Sequence, residues 1–208
     1  MATVVAHAVT SLDGFIARND DSVGPIFDWY GNGDTELLGG GGGWTFNVSA
    51  ASAAYCQPWW DSCGAVVMGR RLFDITNGWN GVPSVGDHVF VVTHEPPTDW
   101  VPSETLSAED APFTFVTTGV ADAVARAQDV AGDRTVAVCA GDVGGQAVAA
   151  GLVDEIAVDI APVLLGEGKR YFGNAVVPEG LLEDPVVVQG HRVLHLRYRV
   201  RAGDTALT

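Results

Sequence analysis

The sequence predicts an α/β fold with a mainly parallel sheet that ends in an antiparallel hairpin. Short, valine-rich apolar runs alternate with Ala-rich helical stretches along the 208 residues, which is typical of parallel strands joined by helices. Thr135–Ile160 contains an apolar run, a glycine-rich bend, a short helix and a second apolar run, and this order predicts a βαβ unit. Val186–Gln189 and Val193–Val200 predict the hairpin, because the second run alternates polar and apolar residues.

The elements before the βαβ unit follow from apolar runs bounded by turn residues. The predicted strands are Val4–Val9, the short extended piece Phe15–Ala17, Ala65–Met68, His88–Val92 and Phe113–Thr117. The predicted helices are Ser49–Asp61, with Ser49 as N-cap, a stretch that begins at Leu72, and Val120–Ala131, followed by Gly132 as C-cap. Strands interleaved with helices, without an internal repeat, predict one domain over residues 1–208.

One long segment, Asn19–Gly43, lacks a regular pattern. It is polar, rich in glycine, and ends in five consecutive glycines, Gly39–Gly43. Such a segment is typical of a flexible linker or of a lid over an active site. A lid remains an alternative to a linker, because aromatic residues near this segment could close over a ligand: Trp29, Tyr30, Trp44 and Phe46.

The composition argues against several classes of function. A net charge of −15, with only 11 lysine and arginine residues, disfavours nucleic acid or an anionic membrane surface as a partner. No apolar run approaches the roughly 20 residues of a membrane helix, and no signal-peptide pattern is present, so we expect a cytoplasmic protein. Cys56, Cys63 and Cys139 lack metal-like spacing and are expected to be free thiols.

The glycine-rich bend Gly141–Gln146 joins an apolar strand to a helix. A turn of this kind presents backbone N–H groups at a helix N-terminus, where a phosphate can bind. The bend matches neither the G-x-G-x-x-G nor the P-loop pattern. A nucleotide cofactor and a purely structural tight turn therefore both remain open.

Two other strand ends carry polar side chains. Gly69-Arg70-Arg71 and Thr93-His94 each follow an apolar strand, and ligands of open α/β sheets bind beyond such ends. Guanidinium groups suit the bidentate binding of phosphate. The alternatives are ion pairs with surface carboxylates, and a capping threonine beside an exposed histidine.

Asp13 lies in the turn Ser11–Gly14 after the first strand. It could orient a polar substrate or exchange protons, or it could support Gly14 in an Asx-type turn. His7, within that strand, is interpreted as a packed core or edge residue. The five histidines form no H-E-x-x-H pattern, so no metal site is predicted, and spacing assigns no Ser-His-Asp or Cys-His pair.

An ordered series of motifs runs through the chain. It comprises Ser11–Ala17, Met68–Arg71, Ala140-Gly141-x-x-Gly144-Gly145, Gly151–Glu155 and Ala161–Phe172. From about Val4 to Arg199 this series resembles the dihydrofolate-reductase-like proteins related to the C-terminal reductase domain of bacterial riboflavin biosynthesis. The resemblance implies a central mixed, mainly parallel sheet flanked by helices, and it implies binding of NADPH.

The resemblance also implies a place for each cofactor-binding residue. Thr10 and Ser11 would lie near the nicotinamide. Gly69, Arg70 and Arg71 would face the adenosine 2′-phosphate and neighbouring phosphates, with Thr93 and His94 beside the ribose. The backbone N–H groups of the glycine-rich bend would cradle the pyrophosphate: Gly141, Asp142, Val143, Gly144, Gly145 and Gln146.

Two departures from the family pattern bear on this expectation. Asp142 stands where the family usually has glycine, and a carboxylate repels a pyrophosphate unless it points away. Ser49–Tyr55 contains no Asp or Glu, whereas folate-reducing enzymes hold the pterin with a carboxylate on the first helix. Dihydrofolate is therefore not the expected substrate.

The resemblance implies a reductase similar to 5-amino-6-(5-phosphoribosylamino)uracil reductase, which would transfer a hydride to a C=N or C=O group. The small substrate would be pteridine- or pyrimidine-like. Asp13 would orient it or relay a proton, Phe15, Trp44 and Phe172 would form an apolar wall, and the terminal hairpin could support a homodimer. The alternative is a non-catalytic module that binds NADPH or another nucleotide, or a redox-responsive regulator.

Overall fold

The computed structural model describes residues 2–40, 43–180 and 182–201. The strands are β1 Thr3–Ser11, β2 Phe15–Ala17, β3 Thr35–Leu38, β4 Thr45–Val48, β5 Cys63–Gly69, β6 His88–Val92, β7 Phe113–Val116, β8 Thr135–Cys139, β9 Glu155–Ala161, β10 Lys169–Arg170, β11 Val186–Gly190 and β12 Val193–Arg199. The α-helices are α1 Ala50–Asp61, α2 Arg70–Thr76, α3 Val120–Ala131 and α4 Asp142–Ala149. Two 3-10 helices span Gly24–Gly31 and Asn77–Gly81.

The main sheet has eight strands in the order β11-β12-β9-β1-β8-β5-β6-β7. All neighbouring pairs from β9 to β7 are parallel, and β12 and β11 continue the sheet in antiparallel pairing. The predicted fold class, a mainly parallel sheet with a terminal antiparallel hairpin, is confirmed. The βαβ unit β8–α4–β9 crosses over β1, which lies between its two strands. The parallel strands all end at one side of the sheet, which we call the C-terminal edge.

Each face of the sheet packs against a different core. Small aliphatic side chains fill the side covered by α3 and α4, where Val4, Ala6 and Val138 lie. Aromatic side chains dominate the opposite side, covered by α1 and the first 3-10 helix, where Trp29, Trp59 and Trp60 are buried. Because side chains alternate along a strand, the second face also receives His7, Val9 and Ser11 of β1.

The segment Asn19–Gly43, expected to be an irregular linker or lid, is largely ordered structure. It contains the first 3-10 helix and β3, which pairs with β4 as a hairpin. Trp29 is only 1% exposed and stacks on Tyr30 at 3.9 Å, and Tyr30 also packs on Phe46, so these aromatic residues build the core. The sequence-based expectation was wrong here because burial of aromatic surface outweighs the local turn composition.

The described part of the glycine run lies far from the C-terminal edge. Gly40 N–H donates to the Ser84 carbonyl at 2.7 Å. Asp87 follows Ser84 by three residues, and its N–H donates to the carbonyl oxygen of Gly64 at the start of β5. The hairpin tip thus contacts the opposite edge of the sheet, whereas Gly41 and Gly42 lie outside the described residues. A lid over the C-terminal edge is not formed by the described glycines.

The β11–β12 hairpin closes one side of the sheet. Val186 and Val187 on its outer strand are 57% and 56% exposed, and Arg197 of β12 pairs with Glu155 of β9. The homodimer expected at this hairpin stays a prediction. Among the described residues, no helix is long and apolar enough to span a bilayer.

Two glycines let α4 lie close to the sheet. A Cβ at Gly144 would be 2.8 Å from the Cys139 carbonyl oxygen, and one at Gly145 would be 2.1 Å from the Phe172 carbonyl oxygen. Both neighbours are backbone atoms, which cannot rotate away as a side-chain tip can. The position of α4 therefore depends on these glycines.

We predict that Gly145→Ala lowers the free energy of unfolding. Helix propensity alone would favour alanine by about 1 kcal/mol, whereas overpacking against the backbone costs about 1–3 kcal/mol, so the packing term decides the sign. Denaturant-induced unfolding measures the change. The matched control is Gly31→Ala, where the new Cβ meets no atom within 4 Å and φ is not positive. Equal or greater stability of Gly145→Ala would contradict the close approach.

Candidate functional site

The C-terminal edge brings three predicted groups together. A Cβ at Gly69, the last residue of β5, would be 3.1 Å from Val143 Cγ2 in the first turn of α4. A Cβ at Gly141 would be 3.5 Å from Ile16 Cδ1 of β2. The Gly69–Arg71 segment, the glycine-rich bend and the segment after β1 therefore border a common surface, although they are far apart in sequence.

The glycine-rich bend forms the N-terminus of α4, as predicted. Gly141 is the N-cap with φ of 96°, a conformation that favours glycine, and its N–H donates to the Tyr171 carbonyl at 2.7 Å. The Asp142 carboxylate accepts hydrogen bonds from Asn174 N–H at 2.7 Å and from its side-chain amide at 3.2 Å. One oxygen of Asp142 is thus directed to the Asn174 segment. Val143, Gly144 and Gly145 are buried, and Gln146 is exposed.

Arg70 lies in the first turn of α2 and reaches the segment after β6. Its Nη1 donates to the Glu95 carbonyl at 2.6 Å, and its Nε donates to Asp74 at 2.6 Å. The buried Thr93 hydroxyl donates to the same Glu95 carbonyl at 2.8 Å, while His94 is exposed. The structure therefore brings Arg70 and Thr93 together, and their role in a shared phosphate–ribose site stays a prediction.

Arg71 belongs to a cluster that includes a residue the sequence analysis missed. Its guanidinium pairs with Asp21, and the same carboxylate pairs with Lys169 of β10. Asp21 has φ of 70°, which is unusual for a residue other than glycine. The motif Ala161–Phe172 contained Lys169, but only tertiary structure shows that its ammonium group lies beside Arg71. The cluster has one carboxylate for two cations.

Asp13 holds the segment that follows β9. Its carboxylate accepts hydrogen bonds from the Ser11 hydroxyl at 2.5 Å, Leu165 N–H at 3.2 Å and Gly166 N–H at 2.7 Å. The Ser11 hydroxyl, followed by the two backbone donors, lowers the pKa of the exposed Asp13 carboxyl below its ordinary value. Asp13 thus lies at the C-terminal edge, as predicted, and also connects the ends of β1 and β9.

The other predicted residues near Asp13 each contact different neighbours. Ser11 Oγ accepts from Phe15 N–H at 3.0 Å, and Ser11 and Thr10 are both buried. Phe15 packs under the Arg170 guanidinium at 5.6 Å. Phe172 contacts the ring of Tyr171 at 4.8 Å, on the side of α4.

The apolar wall of Phe15, Trp44 and Phe172 is not formed as predicted. Trp44 follows the glycine run, and its Cβ lies against Gly39 in the hairpin tip at the opposite edge of the sheet. Pairing of β3 with β4 fixes this location, because it carries the tip toward the segment before β6. Only Phe15 and Phe172 remain near the C-terminal edge.

A buried polar network also escaped the sequence analysis. His195 Nδ1 is 2.6 Å from one oxygen of Asp159, and His7 Nε2 is 2.9 Å from the other. Ser52 Oγ is 2.9 Å from His195 Nε2. Burial opposes ionisation of Asp159, but the two histidines outweigh it and lower its pKa to about 2. Four separate elements supply these side chains, so no linear spacing could reveal them.

The cysteines are free in the structure, and Cys56 and Cys63 are buried. Burial raises the pKa of Cys63 to about 11 and that of Cys139 to about 12, so neither thiol is activated. Within the described ranges, no group of histidine, cysteine and acidic side chains has the geometry of a metal site.

Comparison with known families shows to which family this chain belongs. A model of the RibD C-terminal domain family matches residues 2–194. The chain belongs to this family. The resemblance inferred from the ordered motifs is thereby confirmed. A search of curated proteins finds no significant match.

Solved structures share the RibD C-terminal domain fold at low identity. A putative riboflavin biosynthesis protein from Shewanella sp. PV-4 is 20% identical, with a TM-score of 0.65 over 97% of this chain and 99% of the other. A pyrimidine reductase-like protein from Corynebacterium diphtheriae is 16% identical, with a TM-score of 0.59 over 96% and 92%.

A longer protein shares the same fold. The diaminohydroxyphosphoribosylaminopyrimidine deaminase/5-amino-6-(5-phosphoribosylamino)uracil reductase from Thermotoga maritima is 12% identical, with a TM-score of 0.59. The match covers 96% of this chain but 57% of the Thermotoga protein. At these identities the three structures establish the fold alone.

We predict that Asp13→Asn loosens the segment after β9. Leu165 and Gly166 donate to different oxygens of Asp13, and asparagine replaces one of these oxygens with an N–H₂ group, so one of the two hydrogen bonds is lost. Amide hydrogen exchange at these two residues should become faster. In the parent protein their protection should persist below the ordinary aspartate pKa of 3.8 and disappear as Asp13 protonates, because its folded pKa is lowered.

The matched control for this prediction is Asp20→Asn. The Asp20 carboxylate is also exposed, but it accepts from Ser22 in a different turn. Its replacement should leave the amides of Leu165 and Gly166 unchanged. Equal exchange in Asp13→Asn and the parent would show that Asp13 does not hold the segment.

Proposed function

We propose that this protein is an NADPH-dependent reductase that reduces a C=N or C=O group of a small pyrimidine- or pteridine-like substrate. The observation that carries the proposal is the meeting of basic side chains and a helix N-terminus at the C-terminal edge of a RibD C-terminal domain. Helix N-termini and arginines are the groups that proteins use to hold phosphates.

The residues at this edge fit the cofactor. The Asp142 carboxylate, the feature of the sequence that most disfavoured a pyrophosphate, is hydrogen-bonded to Asn174. The first-turn N–H groups of Asp142, Val143 and Gly144 would hold the pyrophosphate, with Gly145 and Gln146 continuing the helix behind them. Arg71 and Lys169 would add positive charge, which Asp21 offsets in part.

Arg70 is the candidate residue for the adenosine 2′-phosphate. It already contacts the Thr93–Glu95 segment, where Thr93 and His94 would lie beside the ribose. The 2′-phosphate distinguishes NADPH from NADH, so a cation at this position would provide specificity.

At the other end of the site, Thr10 and Ser11 would lie near the nicotinamide, and NADPH would supply the hydride. Asp13, close to the same strand end, would orient the substrate through the segment it holds. Phe15 and Phe172 would contribute apolar surface nearby. We also propose that the protein is located in the cytoplasm and forms a homodimer.

A non-catalytic module that binds NADPH is the second candidate. The favouring observation is that Asp13 has both carboxylate oxygens occupied by hydrogen bonds from its own chain. Such a carboxylate is suited to hold a loop without taking part in proton transfer.

We predict that Arg70→Ala weakens NADPH binding selectively. A hydrogen bond to a charged group contributes about 1.5–3 kcal/mol, which corresponds to roughly a 10- to 100-fold increase in Kd for NADPH. The Kd for NADH should change little, because NADH lacks the 2′-phosphate. Titration of nicotinamide fluorescence measures both constants.

The control is Arg134→Ala, which removes a partly exposed arginine that pairs with Asp87 just before β8 begins, at the opposite edge of the sheet. Its affinity for NADPH should equal that of the parent. Equal weakening of NADPH and NADH in Arg70→Ala would contradict the 2′-phosphate assignment, and absence of NADPH binding in the parent would contradict the cofactor.

A turnover experiment separates the two candidate functions. We expect the parent protein to oxidise NADPH when 5-amino-6-(5-phosphoribosylamino)uracil or a related pyrimidine is added, as followed by nicotinamide absorbance and product analysis. Reductase activity predicts that each NADPH consumed yields one reduced product. Tight NADPH binding without turnover across a panel of pyrimidines and pteridines would favour the binding module.

A further inference from the structure

A line of hydrogen bonds runs from the interior of the protein to His7. Ser52 of α1, His195 of β12 and Asp159 of β9 are 1%, 0% and 2% exposed, so three members of the line are fully buried. The fourth member, His7 of β1, has a side chain that is 18% exposed. The buried part is therefore connected to solvent through one imidazole.

The acceptors in this line fix most of the proton positions. An ionised Asp159 only accepts, so the nitrogens that face it, His195 Nδ1 and His7 Nε2, both carry hydrogen. In neutral His195, Nε2 then accepts from the Ser52 hydroxyl, 2.9 Å away. His7 Nδ1 is the one ring nitrogen of the pair without a hydrogen-bond partner among the residues that the structure describes.

His7 lies on the face of the sheet that opens at the C-terminal edge. Partly buried side chains border the core of this face at that edge, on α2, at the end of β8 and after β9: Leu72, Cys139, Val163 and Leu165. Cys139 is the register partner of His7, and Trp59 packs its ring edge-on at 4.9 Å. His7, Val9 and Ser11 share this face, and the His7 carbonyl accepts from Ala140 N–H at 3.1 Å, directly before the glycine-rich bend.

We propose that His7 donates the proton that completes reduction, and that Asp159, His195 and Ser52 position it. The inference rests on the proposed reductase function. Reduction of C=N or C=O needs a hydride on carbon and a proton on nitrogen or oxygen. A new C–H bond forms, the π electrons move to the heteroatom, and that atom takes the proton from His7 Nδ1. His7 keeps its Nε2–H bond to Asp159, and solvent restores the Nδ1 proton.

The rest of the network fits a positioning role. A buried carboxylate between two imidazoles orients both rings, and the hydroxyl of Ser52 fixes the tautomer of the deeper one. Space around the deeper ring is tight, because a Cβ at Gly190 would be 2.1 Å from Ser52 Oγ and 3.3 Å from His195 Nε2. The backbone at Gly190 therefore lies directly beside the deeper ring and its hydroxyl partner.

Other titratable groups border this face of the sheet. Tyr55 stacks on His195 at 4.8 Å, and burial, with the Asp159 charge, raises the pKa of Tyr55. The groups on the elements packed around His7 are Asp159, Cys139, Cys56, Tyr55, His195 and the Glu155–Arg197 pair. Burial raises the pKa values of the thiols and the phenol and holds them protonated at neutral pH, so these groups are unsuited to repeated proton exchange.

The test compares His7→Gln with the parent in NADPH oxidation with 5-amino-6-(5-phosphoribosylamino)uracil. Glutamine can donate to Asp159 but cannot act as an acid, so kcat should fall about 100-fold or more while KM and the Kd for NADPH change less than about threefold. We expect kcat of the parent to fall at high pH, and this fall should be absent in the variant. His88→Gln is the control, because His88 is a half-buried histidine that contacts Thr114 on β7.

Ser52→Ala tests the positioning role with His7 retained. It should lower kcat less than His7→Gln does and leave the high-pH limb in place, since His7 can still carry a proton. A network that only stabilises the fold would lower thermal stability in both variants without the selective fall in kcat. Unchanged kcat in a folded His7→Gln protein would overturn the proposal.

A spectroscopic measurement tests His7 without turnover. Long-range proton–nitrogen NMR spectra of the imidazoles should show His7 Nδ1 responding to pH while His195 keeps its Nδ1 proton. In Asp159→Asn this difference should be lost. A His7 ring that does not respond to pH would overturn the inference even in an active enzyme. By contrast, failure of the proposed function would appear as absent NADPH binding or turnover in the parent.

Discussion

Helix α4 can lie against the sheet only because Gly144 and Gly145 present no side chain to the backbone behind them. This contact fixes the position of α4 relative to the sheet, and therefore where the N-terminus of α4 lies at the C-terminal edge. The same contact fixes the segment around Phe172, whose carbonyl approaches Gly145. The preceding residue, Tyr171, donates its hydroxyl hydrogen to the Ala6 carbonyl oxygen in the sheet, at 2.8 Å. Close backbone packing thus links the helix, the central strand and the segment after β9.

The C-terminal edge carries clustered basic side chains, although the protein as a whole is acidic. The chain carries a net charge of −15, yet Arg70, Arg71 and Lys169 meet at this edge. Nearby carboxylates balance these cations while their guanidinium and ammonium groups stay partly exposed. An acidic surface with a local basic region limits binding of anions to one place, because the potential elsewhere repels them.

The aromatic core under α1 contains the one fully buried carboxylate among the described residues, Asp159. A buried charge is tolerated only when its hydrogen-bonding capacity is filled, and His7 and His195 supply the donors. The network joins β1, β9, β12 and α1, so it also ties the terminal hairpin to the central strand. A polar group in an apolar core specifies one arrangement of its neighbours, whereas aliphatic packing alone accepts several.

Local sequence determined the elements whose pattern repeats over a few residues. The valine-rich strands, the helix capped by Ser49, the turn at Gly141 and the terminal hairpin all lie where the sequence predicted them. The ordered motifs also identified the family. The edge that collects Gly69, Arg70, Thr93 and the glycine-rich bend followed from one rule, that parallel strands end at the same side of a sheet.

Tertiary structure alone decided the features that depend on pairing over long separations. The β3–β4 hairpin carries Trp44 to the edge opposite Phe15, although both were expected in one wall. Asp13 meets Leu165 and Gly166 across 152 and 153 residues, and His195 meets Ser52 across 143. Such contacts are not indicated by any repeating pattern in the sequence. They form in the folded state, because there they bury side chains and satisfy hydrogen-bonding groups.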